Sequence, residues 1–502
     1  VLRVEPAWCA PCGARADQIE GLLAPLAGPH LRIETLLYAG PDNAPTTEAD
    51  LLRWRQAHPS LPGGLLRPDG GDPERLVRGH GTLPLLYLVD ARTMRISNVL
   101  TAPYERFLQE QVAASIAEVG GPELPLPPDQ DTPLQDGRFD PFTWSLVQQM
   151  AAPWEPPPDP SNAHADNPAA AQLGALLFVD ESLAGSSGVA CSTCHLPDRE
   201  FADDLPVSKG VNPGKIHTPT AMASLQRWFF WDGRADSLWA QALGPLENPD
   251  EMAGSRLEVA HRVKSTYATT YESIFGPLPP LQEPGRFPAA GKPGDSAYEA
   301  MSPEDQQAVT RVLVNVGKAI AAYERTLKPA PTRLEAYAAG QLDALDPVEK
   351  DGLVAFLHSG CINCHHGPAL SDGAFHNVLM PSHQGEGDRG RIDGLVAWQS
   401  SPFRKDGPFS DAPGQGVEAL APVSGMLGQM KTPTLRGVAR TGPWGHGGTF
   451  LTLDAVVKHY GQVLVQTEKP PGVVGERDAA LGGFLGAHNK EILAFLRVLG
   501  GE

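Results

Sequence analysis

Cys191-Ser192-Thr193-Cys194-His195 and Cys361-Ile362-Asn363-Cys364-His365 decide the reading of this chain. The six cysteines form three C-x-x-C pairs with none left over, Cys9/Cys12 being the third. Two pairs run straight into histidine, and C-x-x-C-H is the attachment string for c-type haem. Two thiols three positions apart can each reach one vinyl group of the macrocycle. The adjacent histidine then lies beneath the iron as an axial nitrogen ligand. A zinc site would want four ligands in one place, whereas these pairs are far apart in the chain. Disulfides closing such short loops would stabilise little. Two covalently attached c-type haems are therefore expected, with His195 and His365 on the irons.

The 502 residues are 41% hydrophobic and 20% charged, which excludes a disordered or collagen-like chain and suits several globular domains. No apolar run approaches the roughly 18 residues of a membrane helix. The net charge of −19 shows no basic footprint for nucleic acid. It favours solubility and the docking of a basic protein partner, or is simply a solvated surface. The sequence opens at Val1 without a signal peptide, as a mature or trimmed product would. Covalent haem and a redox C-x-x-C together suit an exported bacterial protein of the periplasm.

The first 120 residues read as α/β, with strands at Leu31–Tyr38 and Leu83–Val89 and helices at Asp17–Leu26 and Tyr104–Val119. Trp8-Cys9-Ala10-Pro11-Cys12 falls where an opening strand meets a helix, whose N-terminus lowers the pKa of its first thiol. Thr82-Leu83-Pro84 precedes the later strand. These residues resemble the thioredoxin superfamily, in particular its periplasmic TlpA-like branch. The resemblance implies a thioredoxin-like domain over 1–121 with Cys9 and Cys12 as a redox disulfide; a static disulfide on the same fold is the alternative. Gly120-Gly121-Pro122, Pro125 to Pro128 and Pro156 to Pro158 mark 122–165 as a Pro-rich linker.

Beyond it the chain reads as mainly helical. Val309–Thr326 is amphipathic, with Val312, Val316, Ile320 and Tyr323 on one face. Pro347–His358, Leu453–Tyr460 and Lys490–Leu499 also read as helices, and 276–296 and 383–430 as long loops. The expected fold is multidomain: the α/β thioredoxin-like unit, then two mainly α-helical c-type cytochrome domains over 166–340 and 341–502.

Several strings agree in order with one family. They are Leu173 to Asp180 (LGALLFVD), Trp231 to Ala235 (WDGRA), Glu247 to Met252 (ENPDEM), Ala319 to Leu327 (AIAAYERTL), Cys361 to Pro368, and Lys431 to Arg436 (KTPTLR). From about Asn167 to its end the chain thus resembles the bacterial di-haem cytochrome c peroxidase and MauG family. The resemblance implies that Glu251 is the distal acid at a peroxide-reacting first haem, Gln241 its companion, and Trp231 the indole between the haems. Alone, Glu251 would read as a surface or capping residue and Trp231 as a core aromatic.

Where resting peroxidases of the family carry a distal histidine, this chain has Gly210-Val211-Asn212, which implies an open first haem unless His217 caps it. The family's calcium site would use the carbonyls of Thr441 and Pro443. His217 stands where that site usually has asparagine, which leaves calcium open. Tyr460 lies fourteen residues after His446 in Pro443-Trp-Gly-His446-Gly-Gly448, at the position of the sixth ligand of the second haem. Peroxidases have methionine there, which favours Fe(II), and MauG-type enzymes have tyrosine, whose phenolate favours Fe(III).

The expected function is a periplasmic di-haem oxidoreductase that reacts with hydrogen peroxide and oxidises a protein substrate by long-range electron transfer. The alternatives are a detoxifying peroxidase fed by a small electron-transfer protein, and a thiol-coupled redox relay or sensor. Family resemblance also raises a homodimer.

Overall fold

The computed structural model describes residues 134–501, apart from 186–187, 212–222, 382–386, 415–419, 466–467, 479–480 and 482–487; before 134 it describes five strands and one helix. The strands are β1 (Leu2–Glu5), β2 (Glu34–Leu37), β3 (Leu65–Leu66), β4 (Leu85–Asp90) and β5 (Arg95–Thr101), with a helix at Glu48–Ala57. They form one sheet in the order β3-β2-β1-β4-β5. β1 runs parallel to β2, pairing Leu2 with Glu34, and antiparallel to β4, pairing Leu2 with Tyr87. A parallel pair requires a crossover connection, and β4 and β5 close the sheet as an antiparallel pair. Both expected strands are present, the first trimmed at both ends and the second starting later and running on to Asp90. Cys9, Cys12, the stretch Thr82 to Pro84 and the expected helices at 17–26 and 104–119 lie outside the described residues, as do Asn212 and His217.

The rest is helical and builds two apolar cores. The first gathers the helices Pro168–Phe178, Leu238–Glu247, Arg256–Arg262 and Pro303–Glu324. The last of these starts earlier than its apolar face suggests. Ser302 caps it by accepting the Asp305 N–H, and Pro303 occupies its first turn, where a missing N–H costs nothing. Val312, Val316 and Ile320 are buried on it. Glycine lets its neighbours approach closely: a Cβ on Gly174 would lie 1.9 Å from the Ala319 carbonyl oxygen.

The second core gathers Pro347–His358, Leu453–Val465 and Asn489–Val498. The first begins at a capping box of Asp346 and Glu349. Leu334 and Tyr337 of the short helix Arg333–Ala338 already belong to this core, so the chain changes core between Tyr323 and Leu334, ahead of 340.

Two loop expectations change. Within 122–165, a helix at Pro141–Met150 puts Leu146, Val147 and Met150 into the second core. Trp154 Nε1 donates to Ser224 Oγ at 2.9 Å, and Trp239 Nε1 donates to Ser161 Oγ at 2.9 Å. Residues 134–165 are thus packed structure, because the contacts of Trp154 and Ser161, on either side of Pro156 to Pro158, anchor them. Within 383–430, residues Arg391–Ser400 form a helix. No side chain caps it; buried Arg391, 4.0 Å from the ring centres of both Trp228 and Phe375, fixes it from outside. Two short strands, β6 (Phe375–His376) and β7 (Met430–Lys431), pair antiparallel with Phe375 opposite Lys431. Among the described residues no helix is long and apolar enough to cross a membrane.

Because a methyl group at position 174 must displace backbone rather than a flexible side-chain tip, Gly174→Ala should destabilise the first helical unit by about 1–3 kcal/mol. Urea unfolding followed by far-UV circular dichroism measures it.

Candidate functional site

Each C-x-x-C-H string folds as one helical turn, Cys191–Cys194 and Cys361–Cys364, which turns both sulfurs and the following ring to one side. The histidine N–H closes each turn on the first cysteine carbonyl, at 2.9 Å in both cases. His195 Nδ1 lies 3.1 Å from the Phe201 carbonyl oxygen, and His365 Nδ1 lies 2.9 Å from that of Leu370. Phe201 and Leu370 both have positive φ, 62° and 47°, so the backbone is bent to present these carbonyls. Burial pushes both imidazoles below their ordinary pKa. They are therefore neutral near pH 7, with Nδ1–H donating and the Nε2 lone pair left for an electrophile. This is the arrangement of metal-ligating histidines.

The sulfurs are not activated thiolates. Burial pushes Cys191 and Cys361 up to about 12 and Cys194 to about 11, the opposite of the depressed pKa of an exchanging dithiol. All four are free.

Around each turn opens a cleft. The first, of about 1810 Å³ with its mouth, is lined by His195, Cys191, Cys194, Gln241, Glu251 and Trp231. The Leu238–Glu247 helix, capped by Ser237 Oγ on the Ala240 N–H, carries Gln241. Glu251 sits in the following turn, where its N–H donates to the Asn248 carbonyl at 3.1 Å and its Oε1 accepts from Asn248 Nδ2 at 2.6 Å. The side chain is thereby held against the cleft wall. The second cleft, of about 1630 Å³ with its mouth, is lined by Cys361, Cys364, His365, Tyr460, Thr441, Pro443 and again Trp231. Burial raises the Tyr460 phenol above its ordinary pKa. Neighbouring His459 is turned away, its Nε2 2.9 Å from the Val378 carbonyl oxygen.

The structure therefore brings every described candidate residue to one of two clefts, and Trp231 to both. The residues present fit a c-type haem in each: paired sulfurs at the wall, a neutral histidine with its tautomer fixed, and a lining that is mostly apolar in the second cleft and mixed in the first.

Three features carry no signal of their own in the sequence. Glu324 lines the first cleft, with Oε2 enclosed and unpartnered among the described residues. His376 is buried between two carboxylates, Nε2 2.9 Å from Asp372 and Nδ1 2.6 Å from Asp478. Lys431 is buried at the wall shared by both clefts. Glu324 and Lys431 stand inside family strings, yet burial is what distinguishes them.

Two histidine-anchored clefts of this kind define a di-haem c-type oxidoreductase. The family model described as di-haem cytochrome c peroxidase matches residues 168–343. The cytochrome c551 peroxidase of Pseudomonas aeruginosa is 31% identical over 306 residues, covering 57% of this chain and 78% of that protein. The cytochrome-c peroxidase IdrP1 of Denitromonas iodatirespirans is 30% identical over 318 residues, covering 61% and 76%. The methylamine utilization protein MauG of Methylorubrum extorquens is 28% identical over 341 residues, covering 66% and 78%. The chain belongs to the di-haem cytochrome c peroxidase and MauG family, whose members carry two c-type haems, and is a peroxidase-type oxidoreductase.

Burial lifts the Glu324 carboxyl to about 8 from 4.5. In that window the folded chain holds a proton that the unfolded chain has lost. The group therefore lowers stability as pH rises, by about 1.4 kcal/mol per unit at most. Glu324→Gln should flatten the pH dependence of unfolding between about pH 5 and 8, as urea titrations at several pH values would measure.

Proposed function

We propose that this chain reacts with hydrogen peroxide in the first cleft and oxidises a protein substrate by long-range electron transfer, as a MauG-like enzyme of the periplasm. In balance, one peroxide takes two electrons from the partner protein and two protons, and leaves as two waters. Cys191/Cys194 and Cys361/Cys364 would hold the haems, with His195 and His365 as the iron-ligating residues, and the haems would supply the redox chemistry. The protein's own part is proton handling and positioning. The Glu251 carboxylate, steadied by Asn248, takes a proton from one peroxide oxygen and returns it to the leaving one. Gln241 orients the peroxide by hydrogen bonding. Trp231, in the wall of both clefts, is the route between them.

The observation that carries the MauG-like reading is Tyr460 in the lining of the second cleft, with His459 turned to a backbone carbonyl. Burial, first of all, keeps the phenol protonated, whereas a metal cation at the oxygen would reverse that preference, and the phenolate would then suit ferric iron. A second reading, a peroxidase fed by a small redox protein, is favoured by the relatives named cytochrome c peroxidase at 30–31% identity.

We also assign residues 1–121 to a thioredoxin-like unit. The β2-β1-β4-β5 order, with β4 antiparallel to both neighbours, supports it, and the Cys9/Cys12 pair would be its redox dithiol.

Two measurements test the reading. Tyr460→Met should raise the potential of the second haem by more than the 59 mV of a tenfold one-electron shift; an unchanged titration removes Tyr460 as ligand. One equivalent of peroxide rapidly mixed with the fully ferric protein should change both haem spectra at once, and Glu251→Gln should slow this by about 10²–10⁴-fold. Reaction only after one haem is reduced, with turnover on a reduced cytochrome, would give the peroxidase reading the lead.

A further inference from the structure

Lys431 is 4% exposed and lies in the wall of both clefts. Its strand, β7, is tied to the inter-cleft tryptophan: the Lys431 N–H donates to the Trp231 carbonyl at 2.7 Å. Among the described residues the ammonium has one hydrogen bond, from Nζ to Gln226 Oε1 at 3.3 Å. Among the described residues no carboxylate lies within ion-pair distance of it.

The acids nearby are committed elsewhere. Asp372, whose charge acts on Lys431, gives Oδ2 to His376 and Oδ1 to the Ala374 N–H. Asp388, in the first cleft, accepts from the Gly390 N–H and lies 3.8 Å from His446 Nε2. Asp232 is paired with Arg234.

An enclosed ammonium whose described partner is a single neutral amide is costly, and burial, partly offset by the Asp372 charge, lowers the Lys431 pKa to about 8. The fold keeps it nonetheless, with two N–H directions unspent among the described residues and the clefts beside it. A haem brings two propionates, the carboxylates of the cofactor, and these need a counter-charge once enclosed. A lysine, a compact charge with three rotatable donors, suits one carboxylate approached from a cleft.

We propose that Lys431 Nζ anchors a haem propionate at the junction of the two clefts. The proposal rests on the di-haem reading and adds a role for a residue of the chain toward the cofactor. Cation and carboxylate then form a neutral unit beside Trp231. Screening the propionate charge also holds that haem's potential above the value it would have beside a bare carboxylate.

The test uses the full-length di-haem protein as Lys431→Gln and Lys431→Arg. Spectroelectrochemical titration should find the Gln variant at least tenfold poorer in reduced haem at equal poise, or 59 mV lower, at one haem. The propionate bending bands in its resonance Raman spectrum should move. Lys431→Arg, which keeps the charge, should stay within threefold of wild type.

A Gln variant that matches wild type in both readouts overturns the proposal, and so does an Arg variant displaced as far as Gln. The wild type supplies a check that needs no variant. The pair should stay ionised, leaving the propionate bands constant from about pH 6 to 9; propionate bands that titrate in that range as those of a carboxyl group without its cation overturn it. A pyridine haemochrome count below two haems per chain would overturn the di-haem reading and this proposal with it. Two haems with an unshifted Gln variant overturn this proposal alone.

Discussion

Both clefts depend on one hydrogen bond made twice, from a histidine Nδ1 to a backbone carbonyl a few residues on. A buried imidazole has one proton to place. Spending it on Phe201 or Leu370 fixes the ring plane and leaves Nε2 as a base pointing into an apolar space. The left-handed residues that present those carbonyls are the local cost of the arrangement. The single helical turn of each C-x-x-C then sets two sulfurs beside the ring. Everything farther out, from the Ser237-capped helix carrying Gln241 to the long helix carrying Tyr460, supplies the remaining walls.

The two sites are joined by backbone as much as by side chains. Trp231 enters both clefts, its carbonyl takes the Lys431 N–H, and the next residues turn sharply at Gly233, where φ is 70°. A Cβ on Gly233 would meet the Phe375 ring at 2.3 Å and Arg391 Nη1 at 2.4 Å. Arg391 Nη1 in turn donates to the Gly233 carbonyl at 2.9 Å. The glycine of the WDGRA string is therefore required by close packing with a helix more than 150 residues away in the chain.

What the sequence discloses and what it conceals divide along physical lines. Chemistry written in short strings is legible: both C-x-x-C-H turns, Glu251 and Gln241, and Trp231 all reach the clefts. Helices with their own start signals are legible too, as at Asp346-Pro347, whereas the apolar face of the longest points to a start at Val309 and the helix begins earlier, at Ser302-Pro303. The Arg391–Ser400 helix is not, because its hold is an arginine between two rings drawn from distant segments. Residues 134–165 look like a spacer by composition, yet Met150 and Trp154 are buried. Glu324 and Lys431 are visible as charges, but a sequence does not say that a charge is enclosed, and enclosure gives these two their interest.

The shared wall also bears on how such a protein can be divided. Each helical unit has its own core and its own histidine-bearing turn, which suggests two cytochromes in tandem that could be cut apart or recombined. The wall says otherwise. Lys431 and Met430, from the later part of the chain, line the first cleft, and Trp231, from the earlier part, lines the second. A single-haem fragment of either half would lose part of its own pocket with its neighbour. The pair is therefore one inheritable module, and its halves can diverge in ligands and potentials only while the strand between them stays in place.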